Sequence, residues 1–125
     1  LEDAVIFAGV RNDVGKMLQA MDVFLFPSLF EGLGIVAVEA QAAGLHTIVS
    51  EAVPKEAFLT ELIEAIPLNA PKEEWVEKVL RYQQGYERPN TFEQLRSAGY
   101  DIESVAKEME RFYISKVRGN NLAKV

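Results

Sequence analysis

Residues 23–49 read VFLFPSLFEGLGIVAVEAQAAGLHTIV, and the order of elements in this stretch decides the fold. The apolar run at 23–26 predicts a buried strand, and a second apolar run at 47–49 predicts another. Between them, residues 35–43 are small and apolar, which favours a helix that Gly44 would end. A strand, a crossover helix and a second strand form the repeating unit of a parallel α/β sheet.

The flanking segments extend this pattern in both directions. Residues 4–8 predict a further strand and residues 65–68 a weaker one, which makes about four strands. Helices are predicted at 14–21 and 57–64. The remainder is predicted to be helical, with helices that begin near Pro71, Thr91 and Asp101. We therefore expect an α/β fold, a three-layer parallel sheet of about four strands with a helical C-terminal end.

The composition excludes several classes of protein. A chain of 125 residues has room for one domain, and it contains no cysteine for disulfides or thiolate metal sites. No apolar run approaches the ~18–20 residues that span a bilayer. The net charge of −6 argues against a nucleic-acid partner. The single histidine, His46, offers little material for a metal site and is interpreted as structural.

The loop between the strand at 23–26 and the following helix carries the chemistry. Gly32 and Gly34 let backbone N–H groups approach a ligand, and a helix N-terminus follows them. Such a site suits a phosphate. Glu31 and Glu39 flank the helix start, roughly 10 Å apart at 1.5 Å rise per residue. Two carboxylates that accept hydroxyl donors on either side of a diphosphate site match the layout of a nucleotide sugar.

This combination resembles the signature of family 4 glycosyltransferases, which have the GT-B fold. The matching elements are Pro27-Ser28, Gly32-Leu33-Gly34, and the pair of glutamates with seven residues between them. The resemblance is closest to exopolysaccharide-synthesis members and covers about residues 4–117. It implies that residues 1–125 are a truncated C-terminal, Rossmann-like donor-binding domain of a two-domain enzyme.

The resemblance also implies residue roles. Glu31 would be the catalytic residue, holding hydroxyls of the donor hexose, and Glu39 would accept hydrogen bonds from the ribose. Nothing beyond the nucleotide-diphosphate sugar itself, neither cofactor nor metal, would be required. The remaining nucleotide-sugar contacts would come from the backbone of Gly32, Leu33, Gly34 and Ile35 near the sugar or pyrophosphate, and from Val10 and Arg11 near the nucleobase.

Partners and location follow from the same resemblance. It implies retaining transfer of a hexose or N-acetylhexosamine to a glycan or lipid-linked acceptor in polysaccharide biosynthesis. The enzyme would be cytoplasmic, with peripheral membrane contact of the full-length protein. The family's N-terminal acceptor domain and its first donor-domain strands are not in this sequence, so we expect the chain alone to be inactive. We also expect self-association through unpaired strands.

Two other interpretations remain open at this stage. A non-catalytic, flavodoxin-like interaction or signalling module would need a phosphorylatable Asp at a strand end, where this sequence has Gly9, Ser28 and Ser50. A dinucleotide-binding domain would need G-x-G-x-x-G directly after a strand, and that motif is absent.

Overall fold

The computed structural model describes residues 2–122, with side chains for residues 3–117. The chain divides into two compact units, Leu1–Pro89 and Asn90–Val125. The first unit contains a parallel sheet of three strands in the order β1-β2-β3. Its elements are a 3₁₀ turn at Glu2–Ala4, α1 Val14–Ala20, β1 Val23–Phe26, α2 Ile35–Ala42, β2 His46–Ser50, a 3₁₀ turn at Lys55–Ala57, β3 Ile63–Ile66 and α3 Lys72–Leu80.

Helices cover both faces of this sheet. Phe24 of β1 packs against a buried cluster that α1, α2 and the segment after α2 form, with Leu18, Ala40, Ala43 and Leu45 as its members. Leu25 points to the opposite face, because side chains alternate along a strand. There it lines an apolar cleft with Trp75 and Val79 of α3. The predicted three-layer α/β arrangement is therefore confirmed.

The strand predicted at residues 4–8 is wrong. Residues 5–9 have no regular secondary structure, and Val5, Ile6 and Phe7 are 49%, 91% and 92% exposed. A strand exists only when a neighbouring strand satisfies its backbone groups. Within the part of the chain that the structure describes, this run pairs with no strand, and the sheet has three strands rather than about four.

The helix predicted at residues 57–64 is also wrong, and the predicted strand at 65–68 is displaced. Only the short 3₁₀ turn forms, and β3 begins at Ile63 and ends at Ile66. The backbone N–H groups of Leu59 and Thr60 donate to the side-chain oxygen of Gln41, each at 3.0 Å. These donors are therefore not available to carbonyls of a local helix.

The end of α2 matches its predicted termination by Gly44. The Gly44 N–H donates to the Gln41 carbonyl at 2.9 Å, and the Leu45 N–H donates to the Ala40 carbonyl at 3.0 Å. This pair of bonds is the Schellman motif, which needs a left-handed residue at its turn. Gly44 has φ +70°, and a Cβ added there would lie 2.9 Å from the carbonyl oxygen of Pro89.

Residues that follow α3 return to the amino-terminal edge of the sheet. Arg88 donates to the carbonyls of Leu18 and Ala43, each at 3.3 Å, and also to that of Met21. Its guanidinium thereby satisfies carbonyls near the C-terminal ends of α1 and α2, which helix geometry leaves without partners. The Tyr86 hydroxyl accepts a bond from the His46 N–H at 3.1 Å.

The second unit consists of α4 Phe92–Ser97 and α5 Ile102–Leu122. Thr91 occupies the N-cap position of α4, as predicted. The Asp101 carboxylate accepts bonds from the N–H groups of Glu103 and Ser104, at 3.4 and 3.2 Å, and so begins α5 as predicted. The hydrogen bond from the Ser104 hydroxyl is the main cause of the lowered pKa of Asp101. No helix among the described residues is long and apolar enough to cross a membrane.

Replacing Gly44 with alanine is expected to destabilise the fold. A left-handed non-glycine residue costs about 1–2 kcal/mol, and the collision with the Pro89 carbonyl adds to this cost. Gly15→Ala in α1 is the matched control, because its added Cβ would meet no heavy atom within 4 Å. Urea denaturation should show a lower midpoint for Gly44→Ala and a gain of about 0.5–1 kcal/mol for Gly15→Ala. Equal stability of the two variants would contradict this account of the α2 terminus.

His46 begins β2 inside an aromatic cluster. Its ring stacks on Tyr82 with centroids 3.9 Å apart and meets the edge of Tyr86 at 4.5 Å. Burial lowers the pKa of His46 below its ordinary value of 6.5, and the charge of Glu64 opposes this shift. The interpretation of His46 as a structural residue agrees with this packing.

The lowered pKa of His46 predicts how stability depends on pH. Between the lowered pKa of folded His46 and pH 6.5, the unfolded chain binds a proton that the folded chain does not, so the stability that comes from keeping His46 neutral is present in full above pH 6.5. It decreases as the pH falls from 6.5 towards the folded pKa. NMR titration of the imidazole should give a midpoint below 6.5, and urea denaturation of His46→Gln should lack this part of the pH dependence. A folded-state midpoint at or above 6.5 would rule the explanation out.

Candidate functional site

The loop between β1 and α2 lies at the carboxyl edge of the sheet. Gly34 is the N-cap of α2 and has φ +75°, in the left-handed region. A Cβ added to Gly34 would lie 3.3 Å from the Cγ1 of Val53 and 3.8 Å from the Cγ of Glu31. The loop after β1 and the loop after β2 therefore meet at Gly34, where only a glycine fits without strain.

Glu31 is held on this loop by a neighbouring hydroxyl. The Ser28 Oγ donates to the Oε1 of Glu31 at 2.7 Å. The Ser28 carbonyl in turn accepts a bond from the hydroxyl of Ser50, which is fully buried at the end of β2. The structure thus places the Glu31 carboxylate beside the start of α2, as the sequence predicts.

The first turn of α2 presents backbone donors at the same edge. The Ala37 N–H donates to the Gly34 carbonyl at 2.9 Å, while the N–H groups that precede it have no carbonyl one turn earlier in the helix. Aligned peptide dipoles add about half a positive charge at such an end. Gly32 and Ile35 are exposed, so a ligand can reach the loop from solvent. Leu33 is half-buried between them.

Glu39 lies about one helical turn into α2, and its surroundings differ from those of Glu31. It is exposed and lines a cleft of about 250 Å³ between α1 and α2. Gly15 and Leu18 line the α1 side of this cleft, and Glu31 is not among its lining residues. At 1.5 Å per residue, Glu39 is about 7.5 Å along the helix axis from Gly34. Glu31 and Glu39 therefore lie in different surroundings, Glu31 beside Gly34 and Glu39 in the cleft with α1.

Val10 and Arg11 precede α1, and Gly15, Leu18 and Gln19 of that helix form one wall of the Glu39 cleft. Val10 is fully exposed. The Nε and Nη2 of Arg11 donate to the two carboxylate oxygens of Asp13, at 2.8 and 2.7 Å. This contact lowers the pKa of Asp13, the N-cap residue of α1. The guanidinium of Arg11 is therefore bonded to the residue immediately before α1.

Gln41, which is not among the predicted site residues, holds α2 in place from the buried side of the helix. This side chain is fully buried within α2. Its Nε2 donates to the carbonyls of Ala37 and Ala57 at 2.9 and 2.7 Å, and its Oε1 accepts from the N–H groups of Leu59 and Thr60. A single glutamine in a run of alanines and valines is the signal that could have identified it.

No group of three or more His, Cys, Asp or Glu side chains among the described residues could hold a metal ion. His46 begins β2 and so lies at the opposite edge of the sheet from the Glu31 loop.

The model of the family described as "Glycosyl transferases group 1" matches residues 1–84. "Putative glycosyltransferase EpsF" of Bacillus subtilis (strain 168) is 31% identical over 121 residues, which is 94% of this chain and 32% of that protein. An Escherichia coli "UDP-Gal:alpha-D-GlcNAc-diphosphoundecaprenol alpha-1,3-galactosyltransferase" is 46% identical over 50 residues, 40% of this chain and 13% of that protein.

A third relative is the "N,N'-diacetylbacillosaminyl-diphospho-undecaprenol alpha-1,3-N-acetylgalactosaminyltransferase" of Campylobacter jejuni subsp. jejuni serotype O:2. It is 40% identical over 48 residues, 38% of this chain and 13% of that protein. The chain thus spans a third or less of the length of these relatives, and no solved structure matches it significantly. Since the family model covers two thirds of the chain and includes the whole Glu31–Glu39 segment, the chain belongs to the group 1 glycosyltransferases.

Proposed function

We propose that this chain is the nucleotide-sugar-binding part of a retaining glycosyltransferase. The whole enzyme would transfer a hexose or N-acetylhexosamine from a nucleotide-diphosphate sugar to a glycan or lipid-linked acceptor in polysaccharide biosynthesis. The observation that carries this proposal is the position of the Glu31 carboxylate beside the glycine-capped N-terminus of α2, at the carboxyl edge of the sheet. In open parallel sheets this edge is where ligands bind.

Each part of the site has a role in this proposal. Glu31 accepts hydrogen bonds from hydroxyls of the donor hexose and orients its reacting carbon. The backbone from Gly32 to Ile35 contacts the sugar or the diphosphate, which the positive end of α2 favours. Glu39, in the α1–α2 cleft, accepts hydrogen bonds from the ribose. The backbone near Val10 and Arg11, just before α1, meets the nucleobase.

The names of the relatives support the substrate class. One is named for UDP-Gal and a diphosphoundecaprenol-linked acceptor, and another is named as an N-acetylgalactosaminyltransferase acting on a diphospho-undecaprenol acceptor. A lipid-linked acceptor fits our proposal that the full-length protein works in the cytoplasm with peripheral membrane contact. Because the chain spans 32% of EpsF, we propose that an acceptor domain is its partner and that the chain alone binds donor without transferring it.

Family membership also favours the transferase over the two alternative interpretations. A flavodoxin-like signalling module would use an acidic cluster at the strand ends, whereas this structure has the Ser28 and Ser50 hydroxyls there. A dinucleotide-binding domain would place its glycine-rich turn directly after a strand. Here Gly32 and Gly34 come six and eight residues after the end of β1.

Donor binding should depend on both glutamates, but in different ways. The measurement is calorimetric or NMR titration of the chain with UDP-galactose, UDP-N-acetylgalactosamine, UDP-glucose and GDP-mannose, each beside its nucleoside diphosphate. Glu31→Gln should weaken binding of the sugar form about tenfold and should not weaken binding of the diphosphate, because only the hexose donates hydrogen bonds to Glu31. Glu39→Gln should weaken both ligands by a similar factor, because both contain the ribose.

The control for this titration is Glu74→Gln, which removes an exposed carboxylate from the first turn of α3. It should bind both ligands as the unmodified chain does. If the unmodified chain shows no preference for a nucleotide sugar over its diphosphate, or if Glu31→Gln and Glu39→Gln bind as tightly as Glu74→Gln, the assignment of the site is wrong.

The open edge of the sheet supports the proposal that the chain self-associates. Among the described strands, β1 pairs with β2 alone, so its other edge is open. Beside that edge, Leu25 is 46% exposed and lines an apolar cleft of about 270 Å³ with Trp75, Val76, Val79 and Leu80 of α3. The exposed run Val5, Ile6 and Phe7 has the β-branched and aromatic residues that such an edge accepts. We propose that this run of one copy adds to β1 of another.

This proposal predicts that the chain dimerises with increasing concentration in sedimentation experiments. Phe7→Lys should weaken the dimer at least about tenfold, because a charge would enter an apolar cleft. Val117→Lys, at an exposed apolar position of α5, is the control and should leave association unchanged. A chain that stays monomeric at high concentration, or a dimer that Val117→Lys disrupts and Phe7→Lys does not, would contradict pairing at the β1 edge.

A further inference from the structure

The polar groups of Ser28 bond to the Glu31 carboxylate, to the end of β1 and to Ser50 of β2. Its hydroxyl lies 2.7 Å from the Glu31 Oε1 and 3.2 Å from the Phe30 carbonyl oxygen. A hydroxyl has one proton, and bonds to ionised acceptors are shorter and stronger than bonds to neutral ones. The proton therefore goes to the Glu31 carboxylate. The backbone N–H of Ser28 donates to the Phe26 carbonyl at 2.9 Å, which fixes the serine directly behind the end of β1.

Ser50 fixes the same residue from the neighbouring strand. It is the last residue of β2 and is 0% exposed. A buried hydroxyl needs a hydrogen-bond partner, and that of Ser50 donates to the Ser28 carbonyl, 22 residues earlier in the chain. Ser50, at the end of β2, thus holds the backbone of Ser28 just after β1, and the Ser28 hydroxyl in turn holds Glu31.

We propose that Ser28 and Ser50 are positioning residues for Glu31, an inference that rests on the proposed function. Glutamate has a long side chain that loses rotamer freedom when it binds a ligand. The Ser28 hydroxyl holds Oε1 before the donor arrives, so less of this freedom remains to be lost, and Oε2 is left to accept a sugar hydroxyl. Ser50 prevents the loop from moving Ser28 away. Neither serine contacts the donor, and both act through the carboxylate.

The test compares binding of UDP-galactose and UDP, or of GDP-mannose and GDP if the guanine pair binds more tightly. Ser28→Ala should weaken binding of the sugar form about threefold to tenfold and leave the nucleoside diphosphate unaffected. Ser28→Thr, which keeps the hydroxyl, should restore the preference. Ser50→Ala should show the same pattern as Ser28→Ala. Ser115→Ala removes a hydroxyl bonded within α5 and serves as the control.

A double-mutant cycle separates positioning from a general effect on the fold. In a Glu31→Ala background, the Ser28→Ala change should have no further effect on sugar binding, since the serine acts through that carboxylate. Should Ser50→Ala fail to fold, the partly exposed Ser28 carries the test through its alanine and threonine variants.

The outcomes distinguish the inference from the function on which it rests. If Glu31→Ala abolishes the preference for the sugar form while Ser28→Ala keeps it, the positioning role is overturned and the proposed function stands. Equal weakening of both ligands by Ser28→Ala would likewise overturn positioning. If the unmodified chain has no preference, or Glu31→Ala retains it, the proposed function falls and the positioning role falls with it.

Discussion

The buried carboxamide of Gln41 is the interaction on which the placement of α2 depends. It bonds to two carbonyls through Nε2 and to the backbone of residues 59 and 60 through Oε1. A buried polar group that is fully bonded specifies one arrangement, because any other arrangement leaves donors or acceptors without partners. Gln41 therefore fixes α2 against the segment that leads into β3, and with α2 it fixes the Gly34 N-terminus and Glu39.

Local sequence signals were sufficient for the central part of the fold. The apolar run of β1, the small-residue helix α2, its glycine terminus and β2 all occur where they are predicted. Each of these signals acts within a few residues. The same applies to α5, whose first residues are bonded by the side chain of Asp101 immediately before it.

The two wrong predictions concern segments whose conformation depends on distant partners. Residues 4–8 have the composition of β1, but a strand also needs a second strand beside it. Residues 57–64 have helical composition, but their backbone donors bond to Gln41 about eighteen residues earlier in the chain. Composition shows neither the lack of a partner strand for residues 4–8 nor the bonds from residues 59 and 60 to Gln41, because tertiary contacts override local propensity.

In the candidate site, too, some features follow from local spacing and others depend on contacts between distant residues. The positions of Glu31 and Gly34 beside the start of α2 were predicted from their spacing, since a loop and the helix after it keep neighbours in sequence close in space, while the ligand contacts of Glu31 and Glu39 stay predictions. What the spacing could not show is the support of Glu31 by Ser28 and Ser50, which joins the ends of two strands. Nor could it show that Glu39 lies in a cleft with α1, which depends on how α1 packs on α2.

The charges around the site explain why donor binding by this chain should depend on hydroxyl groups more than on the diphosphate. The N-terminus of α2 offers about half a positive charge, worth roughly 0.3–1 kcal/mol towards an anion. Glu31 lies beside this end with a full negative charge, and its bond to Ser28 leaves that charge in place. Two cations in neighbouring loops already have partners: Arg11 is bonded to Asp13, and the Lys55 Nζ lies 4.1 Å from the centre of the Phe58 ring.

A diphosphate that enters this loop must therefore be held mainly by backbone N–H groups against the repulsion of a carboxylate. The sugar and ribose hydroxyls face no such opposition, because an ionised carboxylate is the acceptor they bond to most strongly. Under the proposed function, we expect the arrangement of this loop and helix to favour the sugar form over the bare diphosphate, and strong binding of the diphosphate would need further cations near α2.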